Sequence, residues 1–451
     1  MLEYELRITV EKVVISTQEV VKRDTIKVYD INPPHSILEL GLRHEEQLSL
    51  LEKVQNSLLA EQTALIAADP KICPNCGQKL RKNGTHPSSF HTVFSDHQLR
   101  IHKHHCINPE CHWSSSPTVK SVFGSNIHPD LAKLQCEQGV VYSYREAQRN
   151  LEKLNCKPRQ VNNHTQVKRL TDKVGSVLSA QNLVTIPAAA CAPPAAELIV
   201  QIDGGHIPIQ DKTKRSFEAL SGTVYRPDSI HRVDRHHREI RDKTCAISAL
   251  SDGLQTMKTY LLNAALKQGM TNKTEITALA DGAKNCWSVL SVLEPHCKKL
   301  VGILDWFHIG KKFQTVKNAL EAEFEEALES SKWTLWHGNI QKTLTKLAEV
   351  QASLEDKKQQ SKLTGLYEFI ERNQAYIVNY EQRRQSELIF TSQTAESHVE
   401  SLINARHKRS GKMQWNRESA HNVLQIRAKI ASNEWDYQWQ EAVLSALGLA
   451  A

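Results

Sequence analysis

Short apolar runs recur through the second half of the chain, and the spacing between them changes along it. Five runs have the length and alternation of β-strands, and segments with three- and four-residue apolar spacing separate the later ones. The predicted strands are Leu198–Asp203, Phe217–Tyr225, Thr244–Leu250, Glu275–Ala280 and Leu300–Leu304, and the predicted helices are Thr256–Leu266, Ala283–Leu293 and one from His308. Three leading strands followed by alternating strands and helices predict an α/β domain with a mixed sheet.

Three aspartates stand where an apolar run stops: Asp203, Asp281 and Asp305. The order of predicted strands is that of a ribonuclease H-like sheet, in which the ends of the first and fourth strands lie side by side. Asp203 and Asp281 are therefore expected to face each other. Carboxylates hold hard cations such as Mg²⁺ and leave positions for phosphate and water, as two-metal phosphodiester chemistry requires.

A third acid is expected on a later helix. Glu396 opens a segment with helical periodicity, and Glu400 lies four residues further on the same helical face, so the two compete for this role. His308, three residues after Asp305, is expected either to belong to the site or to cap the helix that follows. The predicted catalytic domain comprises residues 198–310 and 390–440, with an amphipathic, all-helical insertion at 311–389.

Four of the ten cysteines cluster in residues 71–125. Cys73 and Cys76 form a Cys-x-x-Cys-Gly turn, and Cys106 and Cys111 return after a hairpin's length, which predicts a zinc ribbon with a structural, four-coordinate ion. The wider gap of the second pair leaves two alternatives, unligated core cysteines or a histidine ligand. The candidate histidines are His102, His104, His105 and His112.

Helical periodicity fills residues 126–182. Ser143 and Glu146 form a capping box at one helix start. Three short helices, the last with Lys168, Arg169 and Lys173 facing outward, predict a helix-turn-helix unit that binds DNA, although a small helical bundle with solvated lysines has the same pattern. A Pro/Ala-rich linker is predicted at 183–197. Residues 1–70 read as strands followed by a helix from Ser36 to Leu59, with no assignable chemistry.

The charge balance permits a polyanionic partner. Lysine and arginine number 57 against 50 acidic residues, a formal charge of +7. Two basic groups flank the acids and are predicted to contact the phosphate backbone; they include Arg232 and Arg235 in the first and Arg406, Lys408 and Arg409 in the second. No apolar run approaches the roughly 20 residues that cross a bilayer, and the N-terminus lacks a signal pattern, so a cytoplasmic protein is expected.

These motifs together resemble one family. Asp203-Gly-Gly-His206, Leu279-Ala-Asp281-Gly-Ala283, Asp305-Trp-Phe-His308, Glu396-Ser and the later Arg406 and Gly411–Trp415 are similar to the DDE transposases of bacterial insertion sequences, above all to the ISKra-type elements and their Mutator-like relatives with a C/D-x-x-H signature. The resemblance spans roughly residues 70–440.

The resemblance implies a function and a role for each residue. Asp203, Asp281 and Glu396 would hold two Mg²⁺ or Mn²⁺ ions, while Asp305 and His308 would support the site or contact the scissile strand. It implies cleavage and strand transfer at the terminal inverted repeats of an element, by a homo-oligomer assembled on double-stranded DNA. Two other functions fit the same residues: a transposase-derived DNA-binding regulator without activity, and a ribonuclease H-like nuclease that cuts without joining.

Overall fold

A computed structural model describes residues 4–66, 72–155, 157–184, 186–187, 190–211, 213–232, 234, 238–392, 399–409 and 413–448. The chain forms two compact units, Met1–Val174 with Trp439–Ala451, and Gly175–Gln438. The first unit contains the cysteine cluster. The second contains the acidic residues, so the two predicted chemistries belong to different units.

The first unit begins with an antiparallel hairpin and a long helix. Strands β1 (Tyr4–Val13) and β2 (Val20–Ile31) pair along their whole length, and helix α1 spans His44–Ile66. The helix was expected from Ser36. It begins at His44 instead because Gly41, at φ +77°, takes a left-handed conformation that interrupts the helical path.

A three-stranded antiparallel sheet follows. It comprises β3 (Leu80–His91), β4 (Asp96–Cys106) and the short β5 (Ser114–Ser115), with β4 in the centre, and the short helix α2 (Val119–Phe123) comes next. Arg159 connects this sheet to the helices that follow, since its buried guanidinium donates hydrogen bonds to Asp96 at 2.6 and 2.8 Å.

Three helices complete the described core of the first unit: α3 (Pro129–Val141), α4 (Tyr144–Glu152) and α5 (His164–Asn182). The predicted capping box is confirmed, because Ser143 N–H donates to Glu146 at 3.0 Å and Glu146 N–H donates to Ser143 at 3.3 Å. The boundary between the units falls within α5, upstream of the linker predicted at 183–197. The end of α5 belongs to the second unit because the Ser179 hydroxyl bonds Tyr260 and His421.

The second unit is built on a mixed five-stranded sheet, as predicted. Its strands are β6 (Glu197–Pro208), β7 (Ser216–Tyr225), β10 (Thr244–Ser248), β11 (Glu275–Ala280) and β12 (Lys299–Leu304), and a separate small ribbon pairs β8 (Ile230–Arg232) with β9 (Arg238–Ile240). The spatial order is β10-β7-β6-β11-β12. The first three sheet strands along the chain pair antiparallel, whereas β11 runs parallel to β6 and β12 parallel to β11.

Helices surround this sheet. In chain order they are α6 (Gln255–Lys267), α7 (Lys284–Leu290), α8 (Trp306–Lys317), α9 (Glu325–Trp336), α10 (Ile340–Ala352), α11 (Lys357–Arg372), α12 (Tyr380–Gln385), α13 (Ala405–His407), α14 (Arg417–Ala431) and α15 (Trp435–Gln438); α16 (Leu444–Leu447) belongs to the first unit. Helices α6 and α7 cover one face of the sheet with residues such as Leu261 and Val289. Helices α8–α12 share a core that includes Leu347, Leu363 and Tyr380. Among the described residues, no helix combines the length and apolar content needed to cross a membrane.

Candidate active site and metal centre

Each of the three aspartates comes directly after a residue in one aligned row across the three parallel strands. Strand β11 pairs Ala280 with Ile202 of β6 and with Leu304 of β12. Asp203, Asp281 and Asp305 are each the next residue along their own strand direction. Because parallel neighbours point the same way, this common register brings three acids from distant parts of the sequence to one edge of the pairing.

Asp203 does not end its strand, contrary to the expectation. Strand β6 runs on to Pro208, because its antiparallel neighbour β7 continues to pair with it from Ser221 back to Ser216. Only the pairing with β11 stops at Ile202. The backbone of Asp203 is therefore paired with β7 on one side. On its other side lies the end of β11, which Asp281 directly follows.

Asp203, Asp281 and His308 form a group that can hold a metal ion. One ligand atom from each lies within 4.8 Å of the others. His308 Nε2 is 3.8 Å from Asp203 Oδ2 and 3.7 Å from Asp305 Oδ2, too far for good hydrogen bonds. Ligands about 2.1 Å from a shared octahedral ion would stand roughly 3 to 4 Å apart, so the separation of His308 and Asp203 fits an ion between these two side chains.

Asp305 has a different task from the other two acids. Its side chain is buried and caps α8, accepting a hydrogen bond from Phe307 N–H at 3.0 Å. The same carboxylate accepts from the N–H of Ser392 at 3.1 Å and from the Ser392 hydroxyl. Asp305, and not His308, is therefore the helix cap, which leaves the His308 imidazole directed at the acids.

Burial and charge shape the titration of this group. Burial raises the pKa of Asp203 above its usual range, and the nearby carboxylates Asp281 and Asp305 add to that increase, against the lowering effect of His308. The Asp281 carboxylate also accepts a hydrogen bond from Ala283 N–H at 2.9 Å. A cation between these side chains would offset the repulsion between Asp203 and Asp281.

The predicted third acid, Glu396, lies outside the described residues, which omit 393–398. The residues on either side of that segment, Ser392 and Val399, both line a cavity of about 40 Å³ together with Asp203, Asp305 and His308. The alternative acid, Glu400, is exposed and accepts a hydrogen bond from Asn404 at 2.7 Å.

A glycine allows the later segment to approach the acids. Val399–Asn404 forms a π-helical turn that packs on β6 at Gly205. A Cβ at Gly205 would lie 2.8 Å from Ile403 and 3.1 Å from Val399, so any side chain there would push the turn away. Gly205 follows Asp203 by two residues, which places the turn beside the site.

Ser221 belongs to this site and was not singled out from the sequence. It is the direct cross-strand partner of Asp203, lines the same cavity and is 3% exposed. Its hydroxyl is buried and has no hydrogen-bond partner among the described residues. A polar residue at an inward position of a central strand was the available signal, because such groups are normally paired.

The four cysteines predicted to bind zinc converge in the first unit. The sulfurs of Cys73, Cys76, Cys106 and Cys111 all lie within 4.8 Å of one another. Cys73 Sγ is 3.8 Å from Cys111 Sγ, and Cys76 Sγ is 3.3 Å from Cys106 Sγ. Zn–S bonds of about 2.3 Å in a tetrahedron place sulfurs about 3.8 Å apart, so the cluster could bind a structural zinc ion.

Local backbone geometry supports this site. Gly77, at φ +72°, closes the turn that carries Cys73 and Cys76, and its N–H donates to the Cys73 carbonyl at 3.0 Å. Hydrogen bonds, chiefly from the Gln78 backbone, lower the pKa of Cys76 to about 7, whereas burial raises the pKa of Cys106 to about 12, so Cys76 is the thiol that ionises more readily. In the described part of the chain the group consists of cysteines alone, without the neighbouring histidines.

The predicted DNA-binding residues differ in exposure. On α5, Arg169 and Lys173 are exposed, whereas Lys168 is half-buried and bonded to Asp172 at 2.5 Å. Lys408 is exposed and Arg409 is half-buried. Arg232 lies in β8, but its side chain is not among the parts of the chain that the structure describes. Arg235 lies outside the described residues altogether.

The prediction that Arg406 contacts the DNA backbone is wrong. Its side chain is fully buried, with the guanidinium 4.7 Å from the ring centroid of Trp415 and bonded to Met413 at 3.0 Å. The backbone of Trp415 in turn donates a hydrogen bond to Pro208, the last residue of β6, and accepts one from Gln210. Arg406 therefore packs the later segment against the sheet and is not placed to contact a phosphate.

Neither protein-family models nor curated proteins show a significant match to this chain. The arrangement of its own side chains therefore carries the functional inference. Those side chains comprise a group of two carboxylates and an imidazole able to hold a metal ion, and a separate set of four cysteines able to hold another.

Proposed function

We propose that this chain is a DDE transposase with a ribonuclease H-like catalytic domain, which cleaves the ends of a mobile DNA element and joins them to a target. The observation that carries the proposal is the common register of Asp203, Asp281 and Asp305 at the end of the parallel strand pairs. A sheet with three antiparallel strands followed by two parallel ones, in the order 3-2-1-4-5 along the sheet, is the arrangement expected of that fold.

The donor set suits Mg²⁺ or Mn²⁺. Carboxylate oxygens prefer hard cations, and one imidazole is compatible with Mn²⁺. When bound, a pair of such ions activates the attacking oxygen and stabilises the leaving one. Asp203 and Asp281 would hold the ions, His308 would complete or orient this set, and Glu396 is proposed as the further acid. Glu396 is three residues from Val399, which lines the cavity. Three residues span at most about 10 Å, so Glu396 is within that distance of Val399.

The other elements would bind and position DNA. The cysteine cluster would hold a structural zinc ion in a ribbon, and α3–α5 would act as the helix-turn-helix unit, with Arg169 and Lys173 directed at DNA. Exposed Lys408 would add a backbone contact near the catalytic residues. Such contacts supply affinity that falls with salt, and they do not select sequence.

A cleavage and joining assay tests the proposal. Labelled duplexes would carry the inverted repeats found in the DNA that flanks the gene, with Mg²⁺ or Mn²⁺ present. The wild type should cut at the repeat ends and transfer them to a second duplex. Asp203→Asn and Asp281→Asn should each lower both steps roughly 100-fold or more, because metal-assisted stabilisation is worth several kcal/mol. Asp228→Asn, at an exposed acid in the same unit, is the matched control.

Two results would replace the proposal with another function. Cutting without transferred product would indicate a nuclease. Specific binding of the repeats with no cutting under either metal would indicate a DNA-binding regulator. In both cases the strand-transfer function would be rejected.

A further inference from the structure

Helix α1 carries an apolar stripe that is left exposed by the residues of its own unit that the structure describes. One side of the helix is anchored, since Leu48 and Leu59 are buried and Asn56 bonds His97 of β4 at 2.6 Å. On another side, Leu51, Val54, Leu58 and Leu65 are 45%, 41%, 53% and 76% exposed. A soluble chain rarely leaves such a row of large apolar residues in water.

The spacing of this stripe is that of a helix-pairing seam. Leu51, Leu58 and Leu65 repeat every seven residues, and Val54 occupies the second position of the heptad. The next occurrence of that heptad position, seven residues later, is Glu61, whose carboxylate forms ion pairs with Lys12 at 2.5 Å and Lys22 at 3.9 Å. The seam is therefore suited to another helix with the same seven-residue repeat.

We propose that α1 pairs antiparallel with α1 of a second copy of this chain, forming a two-fold dimer in the absence of DNA. Charge selects the direction. A parallel pair would set Glu61 against Glu61 of the other copy, whereas an antiparallel pair centred on Leu58 sets Glu61 against the uncharged Gln55. The same arrangement sets Leu51 against Leu65 and Leu58 against Leu58 of the other copy, so the three leucines of each helix meet in a self-complementary interface.

Sedimentation velocity of the full chain without DNA tests this pairing. At about 10 µM the wild type should have twice the 51.1 kDa mass of one chain. Leu51→Lys/Leu58→Lys should reduce it to the mass of one chain, because charged side chains in the seam lose their burial and repel one another. Ala60→Lys/Ala64→Lys adds the same charge at exposed positions of α1 outside the seam and should remain dimeric. Circular dichroism melting should show that both variants stay folded.

A second substitution tests the direction of the helices. Gln55→Glu would face Glu61 of the other copy and should raise the dimer dissociation constant about two- to fivefold, while Gln55→Lys should lower it to a similar extent. A monomeric wild type, or a dimer that Leu51→Lys/Leu58→Lys leaves intact, would overturn the proposal. Equal dissociation constants for both Gln55 variants would overturn the antiparallel arrangement. None of these results depends on the DNA cleavage proposed above.

Discussion

The carboxylate of Asp305 accepts hydrogen bonds from both the backbone N–H and the hydroxyl of Ser392. Ser392 is the last described residue before the segment that contains Glu396. One buried acid thus caps α8, which carries His308, and also holds Ser392. Asp305 is therefore expected to position other residues of the site and not to bind the ion itself.

Substitutions at Asp305 and Asp203 should separate these two tasks. Asp305→Asn keeps a side-chain oxygen for the α8 cap but weakens the bond to the Ser392 hydroxyl, so Mn²⁺ affinity should stay within about threefold while DNA cleavage falls roughly tenfold. Asp203→Asn should abolish Mn²⁺ binding measured by calorimetry. Ser392→Ala should reproduce the Asp305→Asn effect, and the double variant should be no worse than either single one. Loss of Mn²⁺ binding in Asp305→Asn would show that Asp305 is a ligand.

Ser221→Ala should lower activity without lowering stability. Removing a buried hydroxyl that lacks a partner among the described residues should leave the free energy of unfolding unchanged or raise it by about 1 kcal/mol. Cleavage should fall about 10- to 100-fold, because the hydroxyl faces the same cavity as Asp203 and would bond a charged or metal-bound group there. Ser251→Ala, at an exposed serine, is the control. A destabilised variant with full activity would contradict this role.

Zinc removal should unfold part of the chain. Elemental analysis should give about one zinc per chain for the wild type and none for Cys73→Ser, because three thiolates hold the ion much less tightly than four. Thermal unfolding should show a destabilised first unit after chelation, with the second unit unaffected. Cys191→Ser, at a cysteine outside the cluster, should keep its zinc. Full thermal stability of the metal-free protein would argue that the cysteines are ordinary core residues.

Stability of the second unit should fall as the pH drops below about 6.5. His421 is buried with its Nδ1 accepting from Ala249 N–H at 3.3 Å and its Nε2 bonded to Ser179 at 3.0 Å, which fixes the neutral imidazole. Burial lowers the pKa of His421 to about 4. The unfolded chain, with an ordinary histidine pKa near 6.5, then binds a proton that the folded chain does not, so stability is lost as the pH falls through this window.

From pH 7.5 to 5.5 this one residue should remove about 1 kcal/mol from the free energy of unfolding. Urea titrations at the two pH values measure the change. His421→Gln should be less stable at pH 7.5 but lose correspondingly less on acidification, whereas His296→Gln, at an exposed histidine, should follow the wild type. An unchanged pH dependence in His421→Gln would show that another group causes the acid sensitivity.

The strands that bear the acids were predictable because their apolar runs end abruptly. Strand β11 has the predicted bounds, Glu275–Ala280, and the acids after β11 and β12 follow from the same pattern. Strand β6 was predicted too short, since its apolar run stops before Asp203. Only the pairing with β7 shows that the strand continues.

Side-chain roles set by distant partners could not be predicted. Arg406 belongs to a basic run, and only the return of Trp415 against Pro208 shows that it is buried. Ser221 and Ser392 are ordinary serines in the sequence. Ser221 gives only the signal of a polar residue in a central strand, and its place beside Asp203 depends on register. The role of Ser392 depends on its long-range bond to Asp305, which no local pattern encodes.

We infer that Asp203, Asp281 and His308 hold a divalent cation at the end of the parallel strands. Crystals grown with Mn²⁺ and measured at a wavelength where manganese scatters anomalously test it most directly. A peak within coordination distance of all three side chains, absent from Asp203→Asn crystals, is the predicted result. A wild-type map without that peak, or a peak that persists in Asp203→Asn, would contradict the claim.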